Sequence, residues 1–140
     1  MVGASMKIID KFYGRTELAY AIVNEDITMA LRLIEICDDI NQTDKRKYTY
    51  LHFAAQMELP EVIDALISKG AIIDARTSTG GTPLRMAVVR CKAYPLDRSI
   101  KAIKSLLKHG ANPEDVVNGV SIRQLAIETG VSEIIQLLDL

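Results

Sequence analysis

An all-α solenoid of four stacked helix-turn-helix repeats joined by short hairpin loops is predicted by three features of this chain. Thr16, Thr49 and Thr82 recur at an interval of 33 residues, with Leu18, Leu51 and Leu84 two positions after each and Ala21, Ala54 and Ala87 five after. A fixed period of this size marks stacked supersecondary units, none of which can bury its apolar face alone. Gly70 and Gly110 follow apolar, lysine-ended runs at residues 62–69 and 103–108, where a helix ends in a left-handed residue. Small side chains at Ala21, Ala54, Ala55, Ala87 and Ala126 let neighbouring helices approach, while Leu18, Leu51, Leu66, Leu84, Leu106 and Leu138 fill the space between layers.

Each element follows from local chemistry. Every repeated threonine, and Ser121 in a fourth copy, stands where a hydroxyl bonds an orphan N–H at a helix start; Pro83 then occupies the first helical position, where a missing donor costs nothing. Residues 1–13 are a lead-in: residues 1–5 are expected to be loose, and residues 6–13, which mix Ile8, Ile9 and Phe12 with charges, to form a turn of helix shielding the first repeat. The first repeat spans about residues 14–42, and its acids (Glu17, Glu25, Asp26, Glu35, Asp38, Asp39) suit a terminal repeat with a wet outer face. The second, about residues 43–75, is the most regular. The third, about residues 76–114, carries seven surplus residues, since Thr82 to Gly110 is 28 residues where Thr49 to Gly70 is 21. The insert is assigned to residues 91–99, with Pro95 breaking the helix and Asp97 or Ser99 capping the next. The fourth repeat, about residues 115–140, ends at Asp139, where an apolar residue is expected, so the array reads as complete. Residues 1–140 form one domain.

The segments Thr82-Pro83-Leu84-Arg85-Met86-Ala87 and Thr49-Tyr50-Leu51-His52-Phe53-Ala54-Ala55 resemble the Thr-Pro-Leu-His-x-Ala signature of ankyrin repeats. Lys69-Gly70-Ala71 and His109-Gly110-Ala111-Asn112 are similar to that family's second landmark, and the resemblance covers about residues 14–140. Departures are Tyr50 and Ile122 in place of the proline, Arg123 in place of the leucine, and Cys37-Asp38 in place of Gly-Ala in the first copy. The resemblance implies a binding scaffold whose partner-facing positions are the loop tips and the exposed flank of each first helix. Carried onto this chain, these are Thr43, Lys45, Arg46, Tyr48, Gln56 and Met57 in the second repeat and Arg76, Ser78, Thr79, Val89 and Arg90 in the third, with Val117, Asn118, Glu128 and Thr129 in the fourth. It also implies that His52 ties adjacent loops by hydrogen bonds.

Composition narrows the function. Hydrophobic residues make up 49% and charged residues 25%, and a net charge of −1 argues against a polyanion as main partner. Between Arg76 and Lys108 eight basic residues face one acid, Asp97, so the middle of the array is positive and fits an acidic patch on a partner. Lys101, Lys104 and Lys108 recur at helical spacing and read as a solvated helix face. Nucleic acid is disfavoured, because that basic run has no interleaved aromatic beyond Tyr94. The first ten residues lack the apolar stretch of about 7–15 that a secretory signal needs, nothing spans a membrane, and cytoplasmic residence is expected. Cys37 and Cys91 occupy unrelated repeat positions and are read as free, buried thiols.

Chemistry finds little support. Two histidines and two cysteines at unrelated spacings give no zinc pattern. Cys91, Asp97 and His109 are the one set that could supply a nucleophile and base, and nothing in the sequence joins them in a pocket. His109 suits a helix C-terminus, and Gly80-Gly81 serves a hairpin turn, not a phosphate loop. The sequence therefore reads as a non-enzymatic protein-protein interaction module, monomeric alone and without cofactor. Two alternatives are an immunity-type or inhibitory protein that blocks a dedicated toxin or enzyme, and a scaffold self-associating through Tyr94-Pro95-Leu96.

Overall fold

The computed structural model describes residues 6–139, so the expected loose segment at residues 1–5 lies outside the described residues. The helices form four consecutive pairs: α1 (Glu17–Val23) with α2 (Ile27–Ile36), α3 (Tyr50–Gln56) with α4 (Pro60–Ser68), α5 (Pro83–Arg90) with α6 (Leu96–Lys108), and α7 (Ile122–Thr129) with α8 (Ser132–Leu138). First helices pack in the order α1, α3, α5, α7 and second helices in the order α2, α4, α6, α8, so each pair packs chiefly on its neighbours in the chain. The core is the seam between the two rows, where Leu18, Leu51, Leu66, Leu84 and Leu106 are wholly buried together with Ala54 and Ala87.

The hydroxyl caps hold at all four starts. Thr16, Thr49 and Thr82 Oγ1 each accept the N–H three residues on, from Ala19, His52 and Arg85, at 3.3 Å, and Ser121 Oγ accepts that of Gln124 at 3.0 Å. Gly70 and Gly110 follow α4 and α6 with φ of +101° and +97°. His52 links two repeats. Its Nδ1 accepts the Thr49 N–H at 3.0 Å, which leaves Nε2–H to donate to the Gly81 carbonyl at 2.9 Å. Burial holds this imidazole below its ordinary pKa, in keeping with the neutral form both bonds require.

Two expectations are corrected. Residues 6–13 do not form a helical turn: β1 (Ile8–Asp10) pairs antiparallel with β2 (Arg15–Thr16). β-branched Ile8 and Ile9 favour the extended chain. Asp10 Oδ1 accepts the Phe12 N–H, Asp10 C=O accepts that of Gly14, and Gly14 supplies φ +74°. A side chain at Gly14 would also meet Lys45 at 3.1 Å. Nor does this hairpin shield the first repeat, since Ile8, Ile9 and Phe12 are exposed. In the insert, Pro95 does interrupt the chain after a 3-10 turn (Cys91–Ala93), but neither Asp97 nor Ser99 caps α6. Proline's fixed φ lets α6 begin at once. Asp97 sits in its first turn paired with Lys101, and Ser99 Oγ donates to the Cys91 carbonyl at 3.1 Å. A second small pairing, β3 (Val116–Val117) with β4 (Val120–Ser121), is closed by Asn118-Gly119, both at positive φ as a tight two-residue hairpin demands.

One turn between paired helices buries an acid. Glu25, Glu58 and Gly130 occupy the left-handed region after α1, α3 and α7. From α6, Arg98 Nε donates to the Glu58 carbonyl at 2.9 Å and its Nη2 to both Met57 O and the Glu25 carboxylate, so one side chain staples the first two turns to the insert of the third repeat. The Glu58 side chain is wholly buried, and neither carboxyl oxygen has a hydrogen-bond partner. Burial pushes this acid up to about 9, with Arg98 and Arg90 only partly offsetting it.

Two outcomes follow. Leu51→Ala should lower unfolding free energy by about 2–5 kcal/mol, read by urea denaturation, because the leucine is wholly enclosed. Glu58 keeps its proton in the folded state to about pH 9 and loses it near 4.3 when unfolded. The native state thus binds the extra proton between these values, and stability declines as pH rises through that window. Glu58→Gln should flatten the decline and raise the thermal midpoint at pH 8 by roughly 3–6 °C; equal slopes for both proteins between pH 5 and 9 would refute the neutral buried acid.

Candidate partner-binding surface

Four hairpins stand in a row at the start of the first helices, the first three joined by backbone bonds and the last two by an ion pair. Lys45 N–H donates to Tyr13 O at 2.9 Å and Ser78 N–H to Arg46 O at 2.9 Å, while Arg76 reaches the Asp115 carboxylate. Asp44 organises the second hairpin from within: its buried Oδ1 accepts the N–H groups of Arg46 and Tyr48 at 2.9 and 3.0 Å, and Arg15 lies 3.9 Å from its other oxygen.

Below the tips, Tyr48, Gln56, Thr79, Val89 and Arg90 line a groove of about 330 Å³, floored by Gly81, Arg85 and Met86. The structure thus brings five of the eleven expected positions into one depression. Val89 stands on its wall, 59% exposed. Thr43, Lys45, Arg46 and Ser78 are exposed at the hairpin tips above it. Of the remainder, Met57 Sδ accepts a hydrogen bond from the Tyr94 hydroxyl at 3.6 Å. Arg76 is engaged by Asp115 and the Gly80 carbonyl. Arg90, in the groove, is half-buried, and its charge acts on Glu58, opposing but not overcoming the upward shift that burial gives that acid. In the fourth repeat Val117 stands over Gly80, where an added Cβ would lie 3.5 Å from its Cγ1, Asn118 and Glu128 are exposed, and Thr129 Oγ1 donates to the Ala126 carbonyl at 2.6 Å.

Sequence reasoning missed the contribution of the lead-in. Phe12 and Tyr13 stand beside the second hairpin, Phe12 78% exposed, with the two rings edge to face at 4.7 Å. The Arg46 guanidinium lies 4.4 Å from the Tyr48 ring centre and 5.6 Å from that of Tyr13. The available signal was the β-branched pair Ile8-Ile9 followed by Asp10 and Gly14, a strand with a turn after it.

The residues weighed for chemistry each find a separate partner. Cys91 is buried, and burial pushes its thiol up, away from the reactive thiolate. Asp97 faces Lys101, and His109 Nε2 lies 3.2 Å from Asp64 Oδ1 on α4. Cys37 and Cys91 are both unbridged. Among the described residues no cluster of three or more His, Cys, Asp or Glu is placed to hold a metal ion, and no helix is long and apolar enough to cross a membrane. A larger hollow of about 810 Å³ lies on the second-helix row, bordered by Lys101, Lys104, Lys108, Leu107, Leu137 and Pro60.

A family model of ankyrin repeats in three copies matches residues 18–116. Mouse NF-kappa-B inhibitor delta is 28% identical over 142 residues, taking in 89% of this chain and 43% of that protein. The regulatory protein NPR3 of Arabidopsis thaliana is 33% identical over 88 residues, 62% of this chain and 15% of its own length. The chain therefore spans less than half of either relative. The human ASB11 ankyrin repeat domain superposes with a TM-score of 0.77 at 24% identity, over 89% of this chain and 53% of that one, a likeness of fold. With its caps, stacked pairs and hairpins accounted for by one repeating unit, the chain belongs to the ankyrin-repeat family, whose repeats serve as protein-protein interaction modules.

Proposed function

We propose that this protein is a non-enzymatic binding module that holds another protein on its hairpin tips and first helices, through Thr43, Lys45, Arg46, Tyr48, Gln56, Met57, Arg76, Ser78, Thr79, Val89 and Arg90. The observation that carries the reading is the groove lined by Tyr48, Gln56, Thr79, Val89 and Arg90, which presents a valine exposed to 59% on its wall among polar and aromatic side chains that the fold holds in place. Interfaces concentrate their energy in such aromatic and arginine-bearing depressions. Exposed Lys45 and Arg46 favour an acidic patch on the partner. No cofactor enters the reading. Buried, unbridged Cys37 and Cys91 suit the reducing cytoplasm, and the protein acts as a monomer.

An inhibitory role is the second reading, favoured by the likeness to a protein named as an inhibitor of NF-kappa-B. A rigid face that covers a partner's own working surface is enough to inhibit it. Self-association through Tyr94-Pro95-Leu96 has less support, because Tyr94 is already engaged by Met57 and lies 4.4 Å from the Arg98 guanidinium.

The test is co-purification from native cells with wild-type protein, Val89→Glu and Lys104→Glu. Val89 is exposed, so its replacement leaves the core alone. A single stoichiometric partner should be retained by wild type and Lys104→Glu and bound at least about tenfold more weakly by Val89→Glu. A partner held equally by Val89→Glu would overturn the groove as the binding face.

A further inference from the structure

The Arg46 side chain is held in place by its own backbone and by aromatic rings. Its backbone is pinned on both sides, the N–H by Asp44 Oδ1 at 2.9 Å and the carbonyl by the Ser78 N–H at 2.9 Å. Its guanidinium rests 4.4 Å from the Tyr48 ring centre, and that ring in turn packs on Phe53 at 5.3 Å and His52 at 5.7 Å, both buried. Tyr13, carried in by the first hairpin, stands on a second approach at 5.6 Å. The planar group is thus held against an aromatic bed anchored in the core. Among the described residues no carboxylate pairs with it and no hydrogen bond uses its N–H groups.

The surroundings specify what such a group would take. Lys11, Lys45 and Lys47 are exposed around it. The acids on the same two hairpins are occupied: Asp44 is buried under Arg46, Tyr48 and Arg15, and Asp10 accepts the Tyr20 hydroxyl, which with the Phe12 and Tyr13 N–H groups holds its carboxyl below the usual range. The site is therefore cationic with no free carboxylate of its own to quench it. Beside it Phe12, 78% exposed, offers an unused apolar face at the hairpin tip. A guanidinium fork matches a planar carboxylate in two parallel bonds, and stacking reduces the freedom it must lose on binding.

We propose that Arg46, seated on Tyr48 and Tyr13, anchors the partner by binding a carboxylate in two-point fashion, and that Phe12 covers an apolar side chain next to it. The partner segment is then an acidic peptide with apolar residues interspersed among its carboxylates. Nucleic acid fits less well, because a chain of net charge −1 has no overall positive field to draw a polyanion. The inference rests on the protein-binding reading above and extends it to a named chemistry at the tip.

The experiment uses the full chain and fluorescein-labelled nine-residue peptides alternating Glu with Leu, with Lys-Leu and phosphoserine-Leu counterparts, followed by anisotropy. Arg46→Lys keeps the charge and removes the fork, and it should weaken the Glu-Leu peptide by about tenfold, as should Phe12→Ala by about threefold. In wild type the Arg46 Nε–Hε resonance should shift on addition of that peptide. Unchanged affinity in Arg46→Lys would overturn the fork. Preference for the phosphoserine peptide or for inorganic phosphate would reassign the site to phosphate, and equal binding to vesicles of phosphatidylserine would reassign it to a membrane surface; either result defeats the proposal. Should the native partner still depend on Val89 while Arg46→Lys binds the Glu-Leu peptide like wild type, the groove survives and the anchor fails; the reverse pattern separates the two in the other direction.

Discussion

Everything in this molecule depends on where four helices begin. A hydroxyl at Thr16, Thr49, Thr82 or Ser121 accepts the N–H three residues on, and each bond decides at which residue the extended hairpin gives way to helix. Removing one such cap costs about 1 kcal/mol, a modest sum. Its leverage is geometric. Because the first three caps stand 33 residues apart, Lys45 and Arg46 come level with Tyr13 and Ser78, and the bonds that join one hairpin to the next can form. A helix starting one residue late would turn its buried alanines by about 100° and offer the neighbouring repeat a different face. His52 adds a second fixture, using its two nitrogens to tie its own cap residue to the next hairpin at Gly81.

The caps, the glycine stops and the leucine seam were legible in the sequence because each has a local mechanism tied to one residue type, while the histidine tie was implied only by the family resemblance. What was not legible depended on residues that meet only after folding. Ile8, Ile9 and Phe12 looked like an apolar helical turn; the structure uses them as a strand because β2 is there to pair with, and the bulk stays outside. Arg90 looked like a surface donor, yet it lies beside Glu58, whose position follows from a left-handed turn in another repeat. Arg46 and Tyr48 were recognisable as interface residue types. That Tyr13 would approach the same guanidinium was not, since the two are 33 residues apart and meet through a hairpin the pattern concealed.

Glu58 and Arg98 illustrate how a stack can spend stability locally. A left-handed glutamate and a buried acid without hydrogen bonds both oppose folding. Arg98, delivered by the insert, compensates by bonding the carbonyls of Met57 and Glu58 and the carboxylate of Glu25. Three repeats meet in that side chain, so the irregular third repeat doubles as the tie between the first two. In a solenoid, where coupling is otherwise between neighbours only, such a long staple raises the cooperativity of the whole array.

The distribution of unused groups separates the two sides of the stack. On the second-helix row the hollow bordered by Lys101, Lys104 and Lys108 is roomy, but its lysines project from one exposed helix face, and Lys101 is already neutralised by Asp97. Flexible ammonium groups of that kind keep a helix solvated at little cost and lose much freedom when fixed. On the hairpin side the cation is an arginine held against rings that continue into the core, beside an exposed valine and phenylalanine. Ordering there has been completed by the fold before any partner arrives, and preorganised groups give up the least entropy on association. By that criterion the hairpin side, with Arg46 on its aromatic bed above the smaller groove, is the surface proposed for binding, and volume alone is a poor guide in choosing between the two.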